Sequence, residues 1–565
     1  MRTALPALAA ALLLAACGGS SGKAAATSPA AVVSYDPDVP AWRGGCFVDG
    51  TAGKIVNGTP GPEVIQYGDA CSGGSGGLVY LDRYDPLAGT GTVTVLPSTP
   101  GAKPIAVAPA GGAGGVVAGS TGARIDEAGR QLLTLRNVGY VTGELVLVDL
   151  TNPGKVPQSI AANVRVLNYD FLPSGAVIFT GNYDPGTRQG DLFVWNGAVA
   201  QRVALAASRA EFQLYRLDPA LAKAAYLTAW TETGGGELKL VQVSPTPGLE
   251  VHVDDAVEGM AWTASGALVW AVRLPDGSAS LKILPPGSAP GEERTLDTGV
   301  QSWTVAGDDV AYVKDWTLLA GYGTFFRASV TGAPPELGIP QASLELGAAP
   351  APAPGTTRAA LSFVQVSDTD RRSGTLWVVG PAGAHAVEAG AVPRAGYAFS
   401  PGGSYLAWAR GFTDPYAPGS ASPQPGIADE VRVVRVDGGA AFTVATSASM
   451  QSIAWDPGER FVGALSAFDA AANAGRLEVR DLASPQTALL SVERVPPSGF
   501  AFGDDGTVAA VSGWNDALLQ GELVVQRPGA AAASVASGVT SFLAPRGGRV
   551  IYAVRGSGRD GLWLY

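Results

Sequence analysis

Histidine, cysteine and methionine are scarce in this sequence of 565 residues, which holds two, three and three of them. His252 and His385 stand alone, and the cysteines lack the close spacing of metal ligands, so we expect no metal site. The segment around Lys54 lacks the first glycine and the hydroxyl of a phosphate-binding loop, and we expect no cofactor. The formal net charge of −11 argues against a nucleic-acid partner.

Long apolar runs are also missing, apart from one near the N-terminus. It extends from Leu5 to Ala16, about a dozen residues, whereas a membrane-spanning helix needs ~20. Arg2 before the run and small residues at its end are typical of a secretory signal peptide. The segment "LAAC" (14–17) resembles the bacterial lipobox, which implies diacylation of Cys17 and removal of residues 1–16. An ordinary signal peptide with an incidental cysteine is the alternative.

The lipobox resemblance predicts an exported protein that is lipid-anchored in the cell envelope. Gly18 stands where an aspartate would resemble an inner-membrane retention signal, which favours the outer membrane if the cell has one. Residues 17–40 are rich in Gly, Ser and Ala. We expect them to form a flexible tether, because they cannot bury enough apolar surface to offset the entropy of ordering.

Two cysteines remain if Cys17 carries lipid. Exported proteins lie in an oxidising compartment, so we expect Cys46 and Cys71 to form a disulfide within an N-terminal segment, 41–90. Closing that loop would contribute about 3 kcal/mol of stability. Two buried thiols are the alternative.

Glycine and proline are abundant instead, at 76 and 41 residues, and they separate short strand-like runs. One motif recurs: an alternating apolar strand, a turn with Pro, Asp or Gly, and a second apolar strand. Clear copies are "GYAFSPGGSYLAWAR" (396–410), "SIAWDPGERFVGALSA" (452–467) and "GFAFGDDGTVAAVSG" (499–513). The turns of ten candidate copies lie at 109, 173, 219, 264, 306, 354, 401, 457, 504 and 545. With a third and a fourth strand after most copies, each unit of roughly 40–50 residues is typical of a β-propeller blade.

The pattern "AFSPGGSYLAWA" resembles the WD-like repeats of TolB-type propellers, in which a Ser-Pro-Asp-Gly turn joins the first two strands. Only 400–403 approaches the full turn, with Gly402 where the family has aspartate. The resemblance implies an all-β fold, a β-propeller of four-stranded antiparallel blades over residues 91–565, as a single large ring or two smaller rings. We expect the N-terminal strand 91–98 to close the ring. A series of β-sandwiches is the alternative.

One face of such a ring collects the loops between second and third strands. Aromatic and acidic side chains are common there, and they suit stacking on a sugar or peptide and accepting its hydrogen bonds. The candidate binding residues are Asp184, Trp230, Trp316, Tyr322, Asp368, Asp414, Tyr416 and Trp514. Turn formation by the aspartates and edge packing by the aromatics are the alternative roles.

The sequence names no catalytic residue. We therefore expect a membrane-anchored lipoprotein whose propeller is a binding or scaffold module for envelope proteins, peptides or glycans. The alternative is a propeller enzyme, a lyase or hydrolase, that uses carboxylates in the central funnel. Such an enzyme needs acidic residues at the inner ends of several first strands, and those strands carry mostly Ala, Phe, Trp and Ser.

Overall fold

The computed structural model describes most of residues 124–565 and the backbone of short strands between Ser34 and Val117. The ranges within 124–565 that are not described are 127–129, 137–140, 150, 153–154, 166–167, 209–213, 318–321, 333–334, 353–357, 369–372, 382, 392–396, 412–426, 450–451, 546–547 and 556–560. The regular elements in the described part are β-strands that pair antiparallel, which confirms the all-β prediction. Within these residues no helix is long and apolar enough to cross a membrane.

The strands follow one another in units, most of them four-stranded, which we letter in chain order. The N-terminal strands are β1 (Ser34–Tyr35), β2 (Trp42–Arg43), β3 (Cys46–Phe47) and β4 (Gly53–Asn57). Unit A contains β5 (Glu63–Tyr67), β6 (Gly77–Asp85), β7 (Thr90–Pro97), β8 (Ile105–Ala106) and β9 (Val116–Val117). Unit B contains β10 (Arg124–Ile125), β11 (Gln131–Arg136), β12 (Thr142–Asp149) and β13 (Gln158–Arg165). Unit C contains β14 (Tyr169–Phe171), β15 (Val177–Asp184), β16 (Gln189–Trp195) and β17 (Ala200–Ser208).

Units D, E and F are joined by two long strands, and unit G follows them. Unit D contains β18 (Tyr215–Leu217), β19 (Lys223–Thr231), β20 (Gly235–Gln242) and the first half of β21 (Val251–Trp262). Unit E contains the rest of β21, β22 (Leu268–Arg273), β23 (Ala279–Leu284) and the first half of β24 (Arg294–Ala306). Unit F contains the rest of β24, β25 (Asp309–Thr317), β26 (Tyr322–Ser329) and β27 (Glu336–Ala342). Unit G contains β28 (Gly347–Pro352), β29 (Ala359–Asp368), β30 (Ser373–Gly380) and β31 (Gly383–Ala391).

The last units follow the same order. Unit H contains β32 (Tyr397–Phe399), β33 (Tyr405–Arg410), β34 (Ile427–Arg435) and β35 (Phe442–Ser449). Unit I contains β36 (Ala454–Trp455), β37 (Phe461–Asp469), β38 (Ala474–Asp481) and β39 (Ala488–Val495). Unit J contains β40 (Phe500–Phe502), β41 (Val508–Asn515), β42 (Gln520–Gln526) and the first half of β43 (Ala533–Phe542). Unit K contains the rest of β43, β44 (Ile551–Val554), β45 (Gly561–Leu564) and, from the N-terminus, β4.

The hydrophobic core is divided among the contacts between neighbouring units. Residues of units D and E form one buried cluster, which includes Leu238 and Trp270, and residues of units E and F form the next, which includes Leu281 and Tyr312. Second and third strands supply most of these side chains, because they are covered on both faces. A unit therefore cannot bury its apolar surface alone and depends on its neighbours.

Side chains that precede the turns explain why the recurring motif folds as it does. Ser400 is buried, and its Oγ accepts a hydrogen bond of 2.9 Å from the backbone N–H of Tyr405. Asp456 takes the same role in unit I, where its Oδ2 accepts from the Arg460 N–H at 3.0 Å. Such local bonds favour a tight turn between the first two strands.

Most fourth strands carry a bulge at an equivalent place. The register shifts there, and a residue near the bulge adopts a left-handed backbone, with φ of 54° at Ala256, 75° at Gly299 and 45° at Ser447. An extra residue of this kind bends the strand. Because the bulge recurs, fourth-strand residues of different units can be aligned by their distance from it.

Three details of the sequence prediction are wrong. The open position beside β45 is filled by β4, which pairs antiparallel through Gly53 with Leu564, and not by 91–98. Residues 90–97 instead form β7, between β6 and β8 of unit A. The copy placed at 105–119 does not begin a unit either, because β8 and β9 both pair with β7. Unit B, at 124–165, was not among the predicted copies, although Asp126 accepts hydrogen bonds from the Arg130 and Gln131 N–H groups, as Ser400 and Asp456 do in their turns.

Candidate functional site

The structure describes five of the eight predicted binding residues with their side chains. Asp184, Trp230, Trp316 and Trp514 lie in second strands near their ends, and Tyr322 begins a third strand. Asp368 ends β29 and is described only in its backbone, while Asp414 and Tyr416 lie outside the described residues. Their common role as a binding face stays a prediction.

Asp184 takes part in a turn. Its Oδ1 accepts from the Gly186 N–H at 2.8 Å and its Oδ2 from the Thr187 hydroxyl at 2.9 Å. The backbone bond from Gly186 and then the bond from Thr187 lower the pKa of the Asp184 carboxyl. Asp184 therefore stabilises a turn, which is the alternative role considered for the aspartates of the loop face.

The predicted modification sites lie outside what can be described. Cys17 and Cys71 are not among the described residues, and Cys46 is described only in the backbone of β3. Lipidation and the disulfide stay predictions, as do the boundaries at 1–16, 17–40 and 41–90.

A cleft of about 460 Å³ lies between units H and I, a volume in the range of small-molecule sites. From unit H it is lined by Arg432 of β34 and by residues 441–446, the segment that enters β35. From unit I it is lined by Ser466 of β37, by β38 and by the loop residues Pro485 and Gln486. Third and fourth strands thus form most of its walls.

Three charged residues of β38 form the unit I wall. Arg476, Glu478 and Arg480 are two positions apart and so share one face of the strand. Glu478 Oε1 lies 2.9 Å from Arg476 Nε, and its Oε2 lies 3.3 Å from Arg480 Nη2. The Glu478 side chain is only 11% exposed, so the carboxylate is held between the two guanidinium groups at the base of this wall.

Polar groups hold the two guanidinium groups from their other sides. Arg480 Nη1 donates to the backbone carbonyl of Gln486 at 3.4 Å. Arg476 Nε also lies 3.3 Å from Ser466 Oγ, which itself donates to the Arg476 carbonyl at 3.1 Å. These contacts order both side chains before any ligand arrives, which lowers the entropic cost of binding.

Arg432 closes the unit H side. Its Nη1 lies 2.8 Å from Glu388 Oε1 of unit G and 3.6 Å from Glu430 Oε2, and its Nη2 donates to the Ala441 carbonyl at 3.2 Å. Thr443 donates to Glu430 at 3.3 Å. Arg432 is therefore neutralised by carboxylates of units G and H, whereas Arg476 and Arg480 share Glu478.

Two arginine N–H groups of this cleft donate no hydrogen bond to any described residue. Among the described residues neither Arg432 Nε nor Arg480 Nε has a hydrogen-bond acceptor, although both atoms are buried. A buried donor without an acceptor costs about 1–3 kcal/mol, so it calls for an explanation. Both belong to side chains that line the cleft.

Sequence reasoning missed this cleft. The stretch "GRLEVRDL" (475–482) predicts a third strand, and its alternating charges are typical of a solvent-exposed face. These charges line a cleft because unit H packs beside them. The residues of unit H that line the cleft lie about thirty positions earlier in the chain, so no local sequence pattern predicts that they meet. The charge alternation Arg-x-Glu-x-Arg was the one signal available.

Among the side chains that the structure describes, no group of three His, Cys, Asp or Glu residues is placed to hold a metal ion.

No family model and no curated protein matches the chain. Solved structures match it at low identity. A eukaryotic initiation factor is 12% identical, covers 71% of this chain and 93% of its own, and has a TM-score of 0.41. A prolyl endopeptidase is 13% identical, covering 67% of this chain and 54% of its own at a TM-score of 0.31. A TolB protein from Agrobacterium tumefaciens is 10% identical, covering 38% and 78% at 0.23.

The TolB structure belongs to the family that the turn at 400–403 resembles. The TM-scores are all below 0.5, and we draw no argument about activity from them.

Proposed function

We propose that this chain is a lipid-anchored protein of the cell envelope whose β-propeller binds a ligand in the cleft between units H and I. The observation that carries the proposal is the cleft itself, with Arg476 and Arg480 fixed on one wall and unsatisfied buried donors beside it. A protein that only scaffolds its neighbours has no need for such a site. The loop face predicted from the sequence is a second surface, available to a protein or peptide partner.

The same proposal includes a closed ring. It is supported by the pairing of β4 with β45 and by the position of β5 of unit A beside β43 and β44 of unit K. Closure through β4 holds the folded N-terminal end at the ring. The residues between Cys17 and β1, which pairs with β4, then connect the anchor to the propeller.

The anchor has a direct test. Cys17→Ser removes the thiol that would carry the acyl chains, so the variant should leave the membrane fraction while the unaltered chain stays in it. Fractionation of cells, followed by an immunoblot, measures this. An unchanged distribution would refute the anchor and leave the binding proposal standing.

The binding site is tested by an array of immobilised glycans and peptides, probed with the unaltered chain and with Ala445→Glu. Ala445 lines the cleft and is 3% exposed, so a glutamate there fills the space. We expect a ligand that the unaltered chain binds and the variant does not. Binding that survives in Ala445→Glu would move the site elsewhere, and turnover of the bound compound would favour the enzyme alternative.

A further inference from the structure

Exposed large apolar side chains are concentrated on three neighbouring units. Among the residues that the structure describes, seven large apolar side chains are exposed, and five of them belong to units B, C and D. The five, which we call the apolar rim, are Val156 (80% exposed), Val199 (65%), Leu205 (53%), Leu249 (91%) and Val251 (46%). Single exposed leucines are ordinary, but a group of them on one surface is typical of an interaction site.

Three members of the apolar rim occupy the same place in the repeat. Val156, Val199 and Leu249 stand one or two residues before the fourth strand of their unit, at the end of the loop that follows the third strand. In units E to J the two residues at this place are Glu, Pro, Ala, Gln or Thr. The large aliphatic side chain is thus confined to three consecutive units.

The packing of these units brings the loops side by side. Units B and C share a buried cluster that includes Val164 and Phe179, and units C and D share another that includes Leu192 and Tyr226. Because the strand order is the same in each unit, the loops between third and fourth strands lie at the same end of all three. The other two members of the rim continue it along the fourth strands β17 and β21.

The charges beside the apolar rim are paired within their own units. Lys155 Nζ lies 3.7 Å from Asp149 Oδ2 in unit B, and Arg202 Nη1 lies 3.6 Å from Asp191 Oδ2 in unit C. In unit D the Nζ of Lys239 lies 3.3 Å from Oε1 of the glutamate that follows Leu249. These pairs leave little surplus charge to select a strongly charged partner, whereas the net charge of −11 opposes contact elsewhere on the surface. The rim therefore suits a surface like itself.

The chain from the proposed anchor joins the propeller at the end away from the apolar rim. Asn57, the last residue of β4, pairs with Gly561, the first residue of the third strand β45, and Ser34 of β1 pairs with Asn57. Ser34 thus lies where a third strand begins, whereas the loops of the rim follow the ends of third strands. We expect the membrane on the side of Ser34, so a protein is a better partner for the rim than a lipid surface.

We propose that the apolar rim is the contact between two copies of this chain, which pair about a two-fold axis with the rim of one copy against the rim of the other. Copies anchored in one membrane turn the same end towards it, so they meet side by side through the same surface, as a two-fold contact requires. Sharing a membrane also raises their effective concentration. The contact goes beyond the proposed function, and only the orientation of the copies rests on the proposed anchor.

Sedimentation equilibrium of the full chain tests the proposal, in a mild detergent of matched density and at about 1 to 100 μM protein. We expect a reversible dimer. Leu249→Glu should raise its dissociation constant by about tenfold or more, because the two-fold axis places the new charge in the contact twice. Val199→Glu should act in the same direction. Leu518→Glu is the matched control, since Leu518 is 58% exposed in unit J, away from the rim, and its substitution should leave the dimer unchanged.

Each other outcome overturns the pairing of two copies through the rim. A chain that stays monomeric has no such contact, and a dimer that Leu249→Glu does not weaken forms elsewhere. Assemblies that grow with concentration would replace the two-fold contact by a head-to-tail one. Phosphatidylcholine vesicles that bind the Cys17→Ser chain but not its Leu249→Glu variant would assign the rim to lipid. Fractionation of Cys17→Ser tests the anchor separately, because sedimentation does not depend on it.

Discussion

The contact between units E and F and the contact between units H and I use the same strands of the repeat but differ in their polar side chains. At the first, Asp297 accepts from Tyr312 at 2.8 Å and from Lys314 at 3.0 Å, so each polar group is satisfied within the protein. At the second, Ala445 occupies the register position of Asp297, since each pairs with the buried third-strand residue of its own unit, and a cleft opens. The same position thus carries an acid at one contact and an apolar side chain at the other, where Glu478 of the third strand lies between Arg476 and Arg480 instead.

The strongest effect is expected where unit F meets unit G, because an ion pair within unit F is completely buried there. Arg327 and Asp309 are each 1% exposed, and Arg327 Nη1 also donates to the Gly380 carbonyl at 2.9 Å. Arg327→Leu leaves Asp309 buried with only the partly exposed Arg358 nearby, so it should cost about 3–5 kcal/mol. Urea unfolding measures the loss. The double variant with Asp309→Leu should recover much of it, and a double variant as unstable as the single one would contradict this reading.

Removing the acid at units E and F should have the next largest effect. Asp297→Ala takes the acceptor from Tyr312 and Lys314 and should lower the free energy of unfolding by about 1–3 kcal/mol. The matched control is Ala445→Ser, which alters the equivalent position at units H and I and should change stability little. Equal losses from the two substitutions would remove the contrast between these contacts.

The pH dependence of that contact follows from Asp297. Burial opposes ionisation, but hydrogen bonds from Lys314, the Thr298 backbone and Tyr312 outweigh it and lower the pKa of the carboxyl. A lowered pKa contributes stability above the ordinary value of about 3.9, and this stability is lost as the pH falls through the folded value. Urea midpoints between pH 5 and about 3 should therefore fall less steeply for Asp297→Asn than for the unaltered chain. Parallel slopes would contradict the assignment.

A smaller effect is expected at the turns, where units H and I are joined by a second contact. Glu459 Oε1 of unit I accepts from the Gly402 N–H of unit H at 2.7 Å, and a Cβ at Gly402 would lie 3.0 Å from that carboxylate. Gly402→Asp, the residue typical of the TolB-type turn, should cost about 1 kcal/mol through like-charge repulsion. Glu459→Gln in the same chain should restore the lost free energy of unfolding. If Gly402→Asp leaves the free energy of unfolding unchanged, this contact between the turns does not stabilise the packing of units H and I.

Local patterns in the sequence predicted the strands and their turns but not what lies between units. The alternation in "GYAFSPGGSYLAWAR" predicts β32, β33 and the turn that Ser400 stabilises, because each depends on neighbours within a few residues. The partner of β45 was wrong, since β4 and 91–98 have equally suitable strand patterns and only three-dimensional packing chooses between them. The cleft was missed for a related reason. Arg476 and Ala445 belong to different units, and only the packing of those units brings both to one cleft.

Calorimetric titration of a compound that the unaltered chain binds on the array, into the unaltered chain, Ala445→Glu and Arg480→Gln, tests the central claim most directly. Ala445 and Arg480 both line the cleft, so each substitution should weaken binding by about tenfold or more. Circular dichroism should show that both variants keep their strands. Folded variants that bind the compound as tightly as the unaltered chain does would contradict the account.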